Sequence, residues 1–382
     1  MRTESLWSQL ASPRLLSDAA LTPFLKWPGG KSQELAAIAA AAPPLTGRLV
    51  DPFVGGASVL LATPPEVTAV VNDACRDLIE LYRSAADGDA PFRTAVTGLG
   101  EAWEALGERE ELFRDLAEIF LLGTSHAAHA WLDRHRADLH LLLEAAEPGL
   151  AETFFARAAR DLPVKFRRMR VVESEVGERL SAPDLLANIE GAVRSALYMS
   201  VRARYNEARL AGRWDARRAA DFFFLREYTY AAMFRFNARD EFNVPYGGIT
   251  YNRKSLLPKI AAMFSAPMRA RLSTTTFTCQ DFEPFLAAAG LEPNDFLFID
   301  PPYDSDFSNY DNMPFGSSDQ VRLRDVLESV PCQVMVVIKD TPAIRRLYGS
   351  GRWTITHTPK TYMWTIKSRN DRAATHLTIT NY

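Results

Sequence analysis

Four consecutive residues, Asp300-Pro301-Pro302-Tyr303, join a carboxylate, two rigid backbone units and an aromatic ring directly after the apolar run Phe296-Leu297-Phe298-Ile299. Proline fixes its own backbone dihedral, so the pair stiffens the turn and the direction of its carbonyls. Such a turn suits chemistry on an exocyclic aromatic amine. That nitrogen is a poor nucleophile because its lone pair is delocalised into the ring, and an acceptor on each N–H favours the pyramidal form. The Asp300 carboxylate and the Pro301 carbonyl supply two acceptors, aiming the lone pair at a sulfonium methyl and stabilising positive charge as it grows. Tyr303 would stack on the base, which requires a base flipped out of its duplex. The competing assignment is a proline turn with a capping aspartate. A given tetrapeptide turns up by chance in only about one of several hundred chains of this length.

The elements around this turn read as an α/β sheet. Leu49 to Phe53 form a short buried strand running into Val54-Gly55-Gly56-Ala57-Ser58, and an apolar helical pattern follows. Glycines after a strand let backbone approach a ligand, at the carboxyl end where open α/β sheets bind. A second strand, Ala69 to Val71, ends in Asn72-Asp73. An acid there suits a ribose hydroxyl pair or a helix N-cap, and the two roles can coexist. Further strands at Thr275–Cys279, Asp295–Ile299 and Val334–Ile338, with a closing pair in 353–382, predict a mostly parallel sheet with an antiparallel edge. From Ala85 to about Ala196 the apolar spacing is helical and carries no recognisable chemistry. We therefore expect a catalytic domain of residues 1–84 and 255–382, interrupted by a mainly helical insertion and target-recognition domain at 85–254.

Composition narrows the class. No apolar run reaches the roughly 20 residues of a spanning helix, and Met1 to Ala20 mixes acids with apolar residues, so a cytoplasmic protein without a secretory signal is expected. Cys75, Cys279 and Cys332 lie far apart and read as reduced core thiols. His126, His129, His135 and His140 fall in a helical pattern without nearby cysteines, and a solvated face is preferred to a metal site. The net charge of -3 is unevenly spread: residues 1–156 carry 12 Lys/Arg against 22 Asp/Glu, whereas 157–239 carry 17 against 10. Arg202, Arg204, Arg209, Arg213, Arg217 and Arg218 suit either phosphate contacts along a nucleic acid or pairing with local acids, and charge alone leaves both open.

Taken together these residues resemble the Dam-type adenine-N6 DNA methyltransferases, in which the cofactor motifs come first and Asp-Pro-Pro-Tyr comes late. The resemblance rests on Phe24 to Lys31 (FLKWPGGK), Asp51 to Gly56 (DPFVGG), Asn72-Asp73, Phe236-Asn237, Glu241 to Gly247 (EFNVPYG), Asp281-Phe282, Asp300 to Tyr303 and Ile379 to Tyr382, in the family's order. It implies a Rossmann-like S-adenosylmethionine-dependent methyltransferase sheet with a helical DNA-recognition insertion. It also implies transfer of that cofactor's methyl group to a flipped adenine in double-stranded DNA.

Carried over by motif, Trp27 and Lys31 would touch the cofactor, the lysine reaching its methionine carboxylate. Asp51, Phe53 and Gly55 would line methionine and ribose, Asp73 would hold the ribose hydroxyls, and Asp281 with Phe282 would hold the cofactor's own adenine beside Asp300. Asp300, Pro301, Pro302 and Tyr303 would be catalytic, and Arg235, Asn237 and Arg239 would contact DNA. No metal is implied. Where family members carry Asn-Arg and then Gly-Tyr-Asn-Gly, this chain has Arg226-Glu227 and Thr229-Tyr230-Ala231-Ala232, so no target sequence is assigned. The stretch 85–196 is longer than its counterpart, and either extends the DNA-reading domain or faces a protein partner. Two alternatives keep the fold: a cytosine-N4 enzyme, which usually has serine at the position of Asp300, and a nonenzymatic DNA-binding relative, expected to have lost Asp300, Tyr303, Lys31 or Asp73.

Overall fold

The computed structural model describes residues 15–16, 20–123, 127–302, 315–361 and 373–382. The chain divides into two compact units, Met1–Asp87 with Ser265–Tyr382, and Gly88–Phe264.

The first unit contains α1 (Leu35–Ala41), β1 (Leu49–Asp51), α2 (Ser58–Ala62), β2 (Ala69–Asn72) and α3 (Arg76–Asp87). After the second unit the chain returns through α12 (Ala266–Ser273), β3 (Thr275–Thr278), α13 (Phe282–Ala288), β4 (Phe296–Ile299), α14 (Ser317–Ser329), β5 (Gln333–Lys339), α15 (Pro342–Tyr348), β6 (Thr354–Thr361) and β7 (Ala373–Thr380). The second unit holds α4 (Ala90–Gly107), α5 (Glu110–Leu122), α6 (Ala127–Arg134), α7 (Arg136–Ala146), α8 (Leu150–Val176), α9 (Ala182–Leu210), α10 (Ala216–Tyr228) and α11 (Leu257–Met263).

The strands form one seven-stranded sheet in the order β3-β2-β1-β4-β5-β7-β6. Pairings from β3 through β5 are parallel, and β7 runs antiparallel to both β5 and β6. β1 and β4 are buried along their whole length because their apolar residues face neighbours on both sides. One core joins Val50, Leu297, Ile299, Val334, Val336 and Ile338 to Phe285, Leu323, Leu327, Ile344 and Tyr348 from α13, α14 and α15. Burying a side chain such as Leu327 contributes about 2 kcal/mol.

This strand order has one functional consequence. From β1 the chain proceeds outward through β2 to β3 on one side, and β4 lies on the other side of β1. The reversal opens a crevice beyond the carboxyl ends of β1 and β4, where ligands bind in open α/β sheets. Asp51 ends β1, and Asp300 is the first residue past β4. At the opposite, amino ends, Arg48 and Asp295 tie the same two strands together through Nη2–Oδ2 at 2.6 Å and Nε–Oδ1 at 3.1 Å.

In the second unit α8 and α9 are long packed helices, and the Ser200 hydroxyl on α9 donates to the Thr153 carbonyl on α8 at 3.1 Å. Residues 257–263, which the sequence places with the catalytic part, pack instead on α4: a Cβ at Gly100 would meet Leu257 Cδ2 at 2.9 Å. The six arginines left open by charge alone prove to be engaged inside this unit. Arg204 grips Asp221 with Nε at 2.9 Å and Nη2 at 2.5 Å, and Arg217 reaches Glu147 at 2.7 Å. Arg209 pairs with Asp240, Arg213 with Glu207, Arg202 donates to the Val244 carbonyl, and Arg218 lies over the Trp214 ring. Each of the six thus has a pairing, hydrogen-bonding or stacking partner within the unit. Among the described residues no histidine, cysteine or acid cluster has metal-binding geometry, and no helix is long and apolar enough to cross a membrane.

Candidate functional site

The site grows from the turn after β1. Asp51 is buried, and its Oδ1 accepts the Phe53 N–H at 2.9 Å. The chain then turns through Gly55 (φ +45) and Ala57 (φ 58), left-handed conformations that glycine adopts freely and alanine at a cost. Trp27 explains why no side chain is tolerated at Gly55: a Cβ there would lie 2.8 Å from Trp27 Cδ1. The turn is fixed from both directions, because the Gly55 N–H donates to Asp73 Oδ2 at 3.0 Å and the Tyr82 hydroxyl donates to the Gly55 carbonyl at 2.8 Å. Asp73 Oδ1 accepts the Cys75 N–H at 2.9 Å, so this carboxylate also organises the entry to α3.

Lys31 brings the amino-terminal loop to the same crevice. Its side chain is 2 % exposed, and its ammonium donates to Asp300 Oδ1 and to the Gly29 carbonyl at 3.0 Å. Burial pushes the Asp300 carboxyl above its usual range, and the Lys31 charge and hydrogen bond pull it part of the way back. Burial likewise holds Asp51 well above the ordinary aspartate value; the Phe53 N–H opposes this, the negative charges of Asp300 and Asp73 add to it, and Lys31 opposes it. Asp51 and Asp300 thus both feel the charge of one ammonium, and Asp73 adds its negative charge to Asp51.

An aromatic group borders them. Phe53 lies with its ring centre 5.6 Å from those of Phe282 and Phe315, edge-on to the latter. Asp281 caps α13 by accepting the Glu283 N–H at 3.0 Å, and its Oδ1 also accepts from Arg322 at 2.9 Å. The Arg322 guanidinium lies over the Phe282 ring at 4.8 Å. In the Asp-Pro-Pro-Tyr turn, the Pro302 carbonyl accepts from Gln320 Nε2 at 3.1 Å, which anchors the turn to α14. Pro301 is buried; Tyr303 lies outside the described residues.

Trp27, Lys31, Asp51, Phe53, Gly55, Asp73, Phe282 and Asp300 all belong to this unit, as do the four residues sequence reasoning missed: Glu34, His376, Gln320 and Arg322. Glu34 Oε2 lies 2.6 Å from His376 Nδ1, and the two are 342 positions apart, so no local spacing could have paired them. Arg235, Asn237 and Arg239 belong to the second unit, on a small hairpin bridged at Phe236 and Phe242. Arg235 and Arg239 are exposed. Asn237 is spent on the turn: Oδ1 accepts the Arg239 and Glu241 N–H groups at 2.9 and 3.0 Å, and Nδ2 donates to Glu241 Oε2 at 2.8 Å. The hairpin is held by α9, where Asn206 exchanges hydrogen bonds with the Phe242 backbone and Arg209 lies 3.9 Å over the Phe236 ring.

Comparison with known proteins assigns this architecture. The chain is 30% identical over 168 residues to the type II methyltransferase M.CviBI of Paramecium bursaria Chlorella virus NC1A, covering 43% of this chain and 61% of that protein. It is 33% identical over 162 residues to the Retron Ec67 DNA adenine methylase of Escherichia coli, covering 42% and 53% respectively. A third relative, the type II methyltransferase M1.LlaDCHI of Lactococcus lactis subsp. cremoris, aligns over 95% of this chain and 96% of its own length at 23% identity. The alignments with the first two thus span little more than half of those proteins. The family model for D12 class N6 adenine-specific DNA methyltransferases matches residues 27–121 and 170–363. Because that match takes in well over half of the chain, from the Trp27 loop through the turn at Asp300, the chain belongs to the D12 class N6 adenine-specific DNA methyltransferase family.

Proposed function

We propose that this chain methylates the N6 amine of an adenine flipped out of duplex DNA, with S-adenosylmethionine as methyl donor. The observation that carries the reading is the acid-rich end of the sheet, where Asp51 and Asp300 share the Lys31 charge and Asp73 adds its own negative charge to Asp51. Such a site favours a ligand with excess positive charge. S-adenosylmethionine carries an ammonium, a sulfonium and one carboxylate, and so fits this set. Lys31 would hold its carboxylate, Asp51 its cationic portion, Asp73 its ribose hydroxyls, and Phe53, Phe282 and Asp281 its adenine. When bound, it supplies an electrophilic sulfonium methyl.

The chain's own groups do the rest. Among the described residues Asp300 Oδ2 accepts no hydrogen bond, which leaves it for one N–H of the target amine, with the Pro301 carbonyl taking the other. As the nitrogen–carbon bond forms and the sulfur–carbon bond breaks, the nitrogen must shed one proton. Asp300 is a receptive acceptor for it, because burial already raises its affinity for protons. Gln320 fixes the Pro302 carbonyl and so the direction of the turn. DNA would be met by the exposed Arg235 and Arg239 of the hairpin, with Asn237 shaping the turn between them. The helices before the hairpin we assign to building the unit that presents it.

The test is single-molecule sequencing of plasmid DNA from a methylation-deficient host that expresses the chain, with Asp300→Ala alongside. N6-methyladenine at one recurring motif, absent with the mutant, is the expected result. N4-methylcytosine in its place would overturn the choice of base, and DNA binding without any methylated base would favour the nonenzymatic alternative.

A further inference from the structure

Among the described residues of the catalytic unit, an acid and a histidine that would touch neither cofactor nor base meet in the interior. Glu34 Oε2 lies 2.6 Å from His376 Nδ1; the histidine is 0 % exposed and the glutamate residue 6 %. Burying both members costs desolvation that their attraction seldom returns, so such a pair is weak evidence for stability and a reason to look for a role in the adjoining site. Neither residue belongs to the motifs that carry the family resemblance, and His376 lies beyond the last residue matched by the family model.

The placement of the pair gives it a role. Glu34 follows Lys31 by one turn, and its N–H donates to the Lys31 carbonyl at 2.8 Å. His376 lies on β7 opposite Lys339, the last residue of β5, and therefore at the same edge of the sheet as Asp300. The single turn from Lys31 to Glu34 is consequently held to the sheet twice, by Lys31 on Asp300 beyond β4 and by Glu34 on His376 beside β5. A free lysine side chain has about 2 kcal/mol of rotamer entropy to lose, and a backbone fixed at both ends of the turn reduces what must be ordered when the ammonium engages a ligand. Both members also act on Asp300 through space, Glu34 disfavouring its charge and His376 favouring it.

We infer that Glu34 and His376 are positioning residues, a buried clamp that sets the Lys31 turn against Asp300 so that cofactor and target amine meet an already ordered pair. The clamp rests on the methyltransferase reading given above.

The experiment uses the full chain, with S-adenosylhomocysteine binding followed by calorimetry, single-turnover methylation of plasmid DNA at saturating S-adenosylmethionine, and thermal unfolding. Glu34→Gln keeps an oxygen acceptor for the His376 N–H and should leave binding and rate within about threefold of the parent. Glu34→Asp keeps the charge but withdraws the carboxylate by about 1.5 Å, the length of one carbon–carbon bond. It should weaken binding and slow the single-turnover step about tenfold each, at an unfolding temperature close to that of Glu34→Gln. Glu34→Asp with binding and rate both unchanged overturns the clamp, as does a loss in Glu34→Gln as large as in Glu34→Asp. If the parent chain neither binds S-adenosylhomocysteine nor methylates DNA, the methyltransferase reading falls and takes the clamp with it. A parent that does both, beside an indifferent Glu34→Asp, sinks the clamp alone.

Discussion

The two units differ in what partners their buried acids. In the helical unit the buried acids sit on bases: Asp221 on Arg204, Glu147 on Arg204 and Arg217, Glu227 on Lys254 and Lys259 at 2.5 and 2.9 Å. Burial works to raise all three: the two lysines carry Glu227 below its usual range, whereas burial still holds Asp221 and Glu147 above theirs against their arginines. In the sheet unit the amino ends of β1 and β4 follow the same rule, because Arg48 and two backbone N–H groups outweigh burial and lower Asp295. The carboxyl ends do not. There burial dominates Asp51 and Asp300, against the Phe53 N–H and Lys31 at the first and against Lys31 and His376 at the second. Neutralised charge marks architecture, and charge left over marks the place where a ligand completes the count.

The sharpest way to break this contrast is Asp300→Asn. If Asp300 accepts an N–H and then a proton, its amide should slow methyl transfer by about a thousandfold or more. Binding of S-adenosylhomocysteine should change little, because Lys31 keeps an oxygen partner. A single-turnover rate within tenfold of the parent would place the chemistry elsewhere. Next in size is Asp221→Ala in the helical unit. It takes the two-pronged partner from Arg204 and leaves it Glu147 at 3.4 Å, and removing one partner of a buried pair costs about 3–5 kcal/mol. Urea unfolding measures it, and a loss under about 1 kcal/mol would mean that solvent reaches Arg204 and that the pairing is not architectural.

Arg235→Ala comes third. Removing an exposed guanidinium from the hairpin should weaken binding or relax discrimination among duplexes by about 1–3 kcal/mol. Competition between duplexes reads it, and unchanged discrimination would move recognition off the hairpin.

The same contrast explains what the sequence made legible. The strands, the parallel sheet with its antiparallel edge and the turn at Asp300 came from local signals: apolar runs, glycines after β1 and a proline pair after β4. Asp51 and Asp73 stand at strand ends next to such signals, whereas Lys31 comes into view through the family resemblance alone. Glu34, His376, Gln320 and Arg322 carry no local signature, since each acquires its partner only when distant strands and helices are assembled. The basic stretch leaves two readings open for the same reason. A run such as Arg202, Arg204 and Arg209 has the same composition whether its guanidinium groups face phosphates or lie on Val244, Asp221 and Asp240. Likewise the motif that offers Asn237 for DNA contact does not foretell that its amide also holds the hairpin turn.

Asp51→Asn tests the surplus charge through stability. A buried carboxyl raised above its unfolded value of about 3.9 binds a proton in the folded state that it releases on unfolding. Stability from this group is therefore present at low pH and lost as pH rises through the raised value. At neutral pH its charge is a cost, and the amide should raise the unfolding temperature of the free protein by a few degrees while weakening S-adenosylmethionine binding. A variant less stable than its parent at pH 7 would show that Asp51 is neutralised by the fold, as Asp295 is.

The smallest expected effect belongs to Arg213, whose partner Glu207 is 74 % exposed while the arginine itself is 52 % exposed. An exposed pair of this kind contributes about 0–1 kcal/mol, and less at high salt. Arg213→Ala should therefore leave both unfolding and DNA affinity within about 0.5 kcal/mol of the parent. The informative quantity is the salt dependence of DNA binding. If Arg213 neutralised a phosphate, its replacement would lower the logarithmic slope by about one. An unchanged slope would confine DNA binding to residues outside the paired arginines, and a reduced one would mean that DNA draws Arg213 away from Glu207. In that case a charge satisfied in the free protein would belong to the ligand after all, and the rule separating the two units would hold only where the pair is buried.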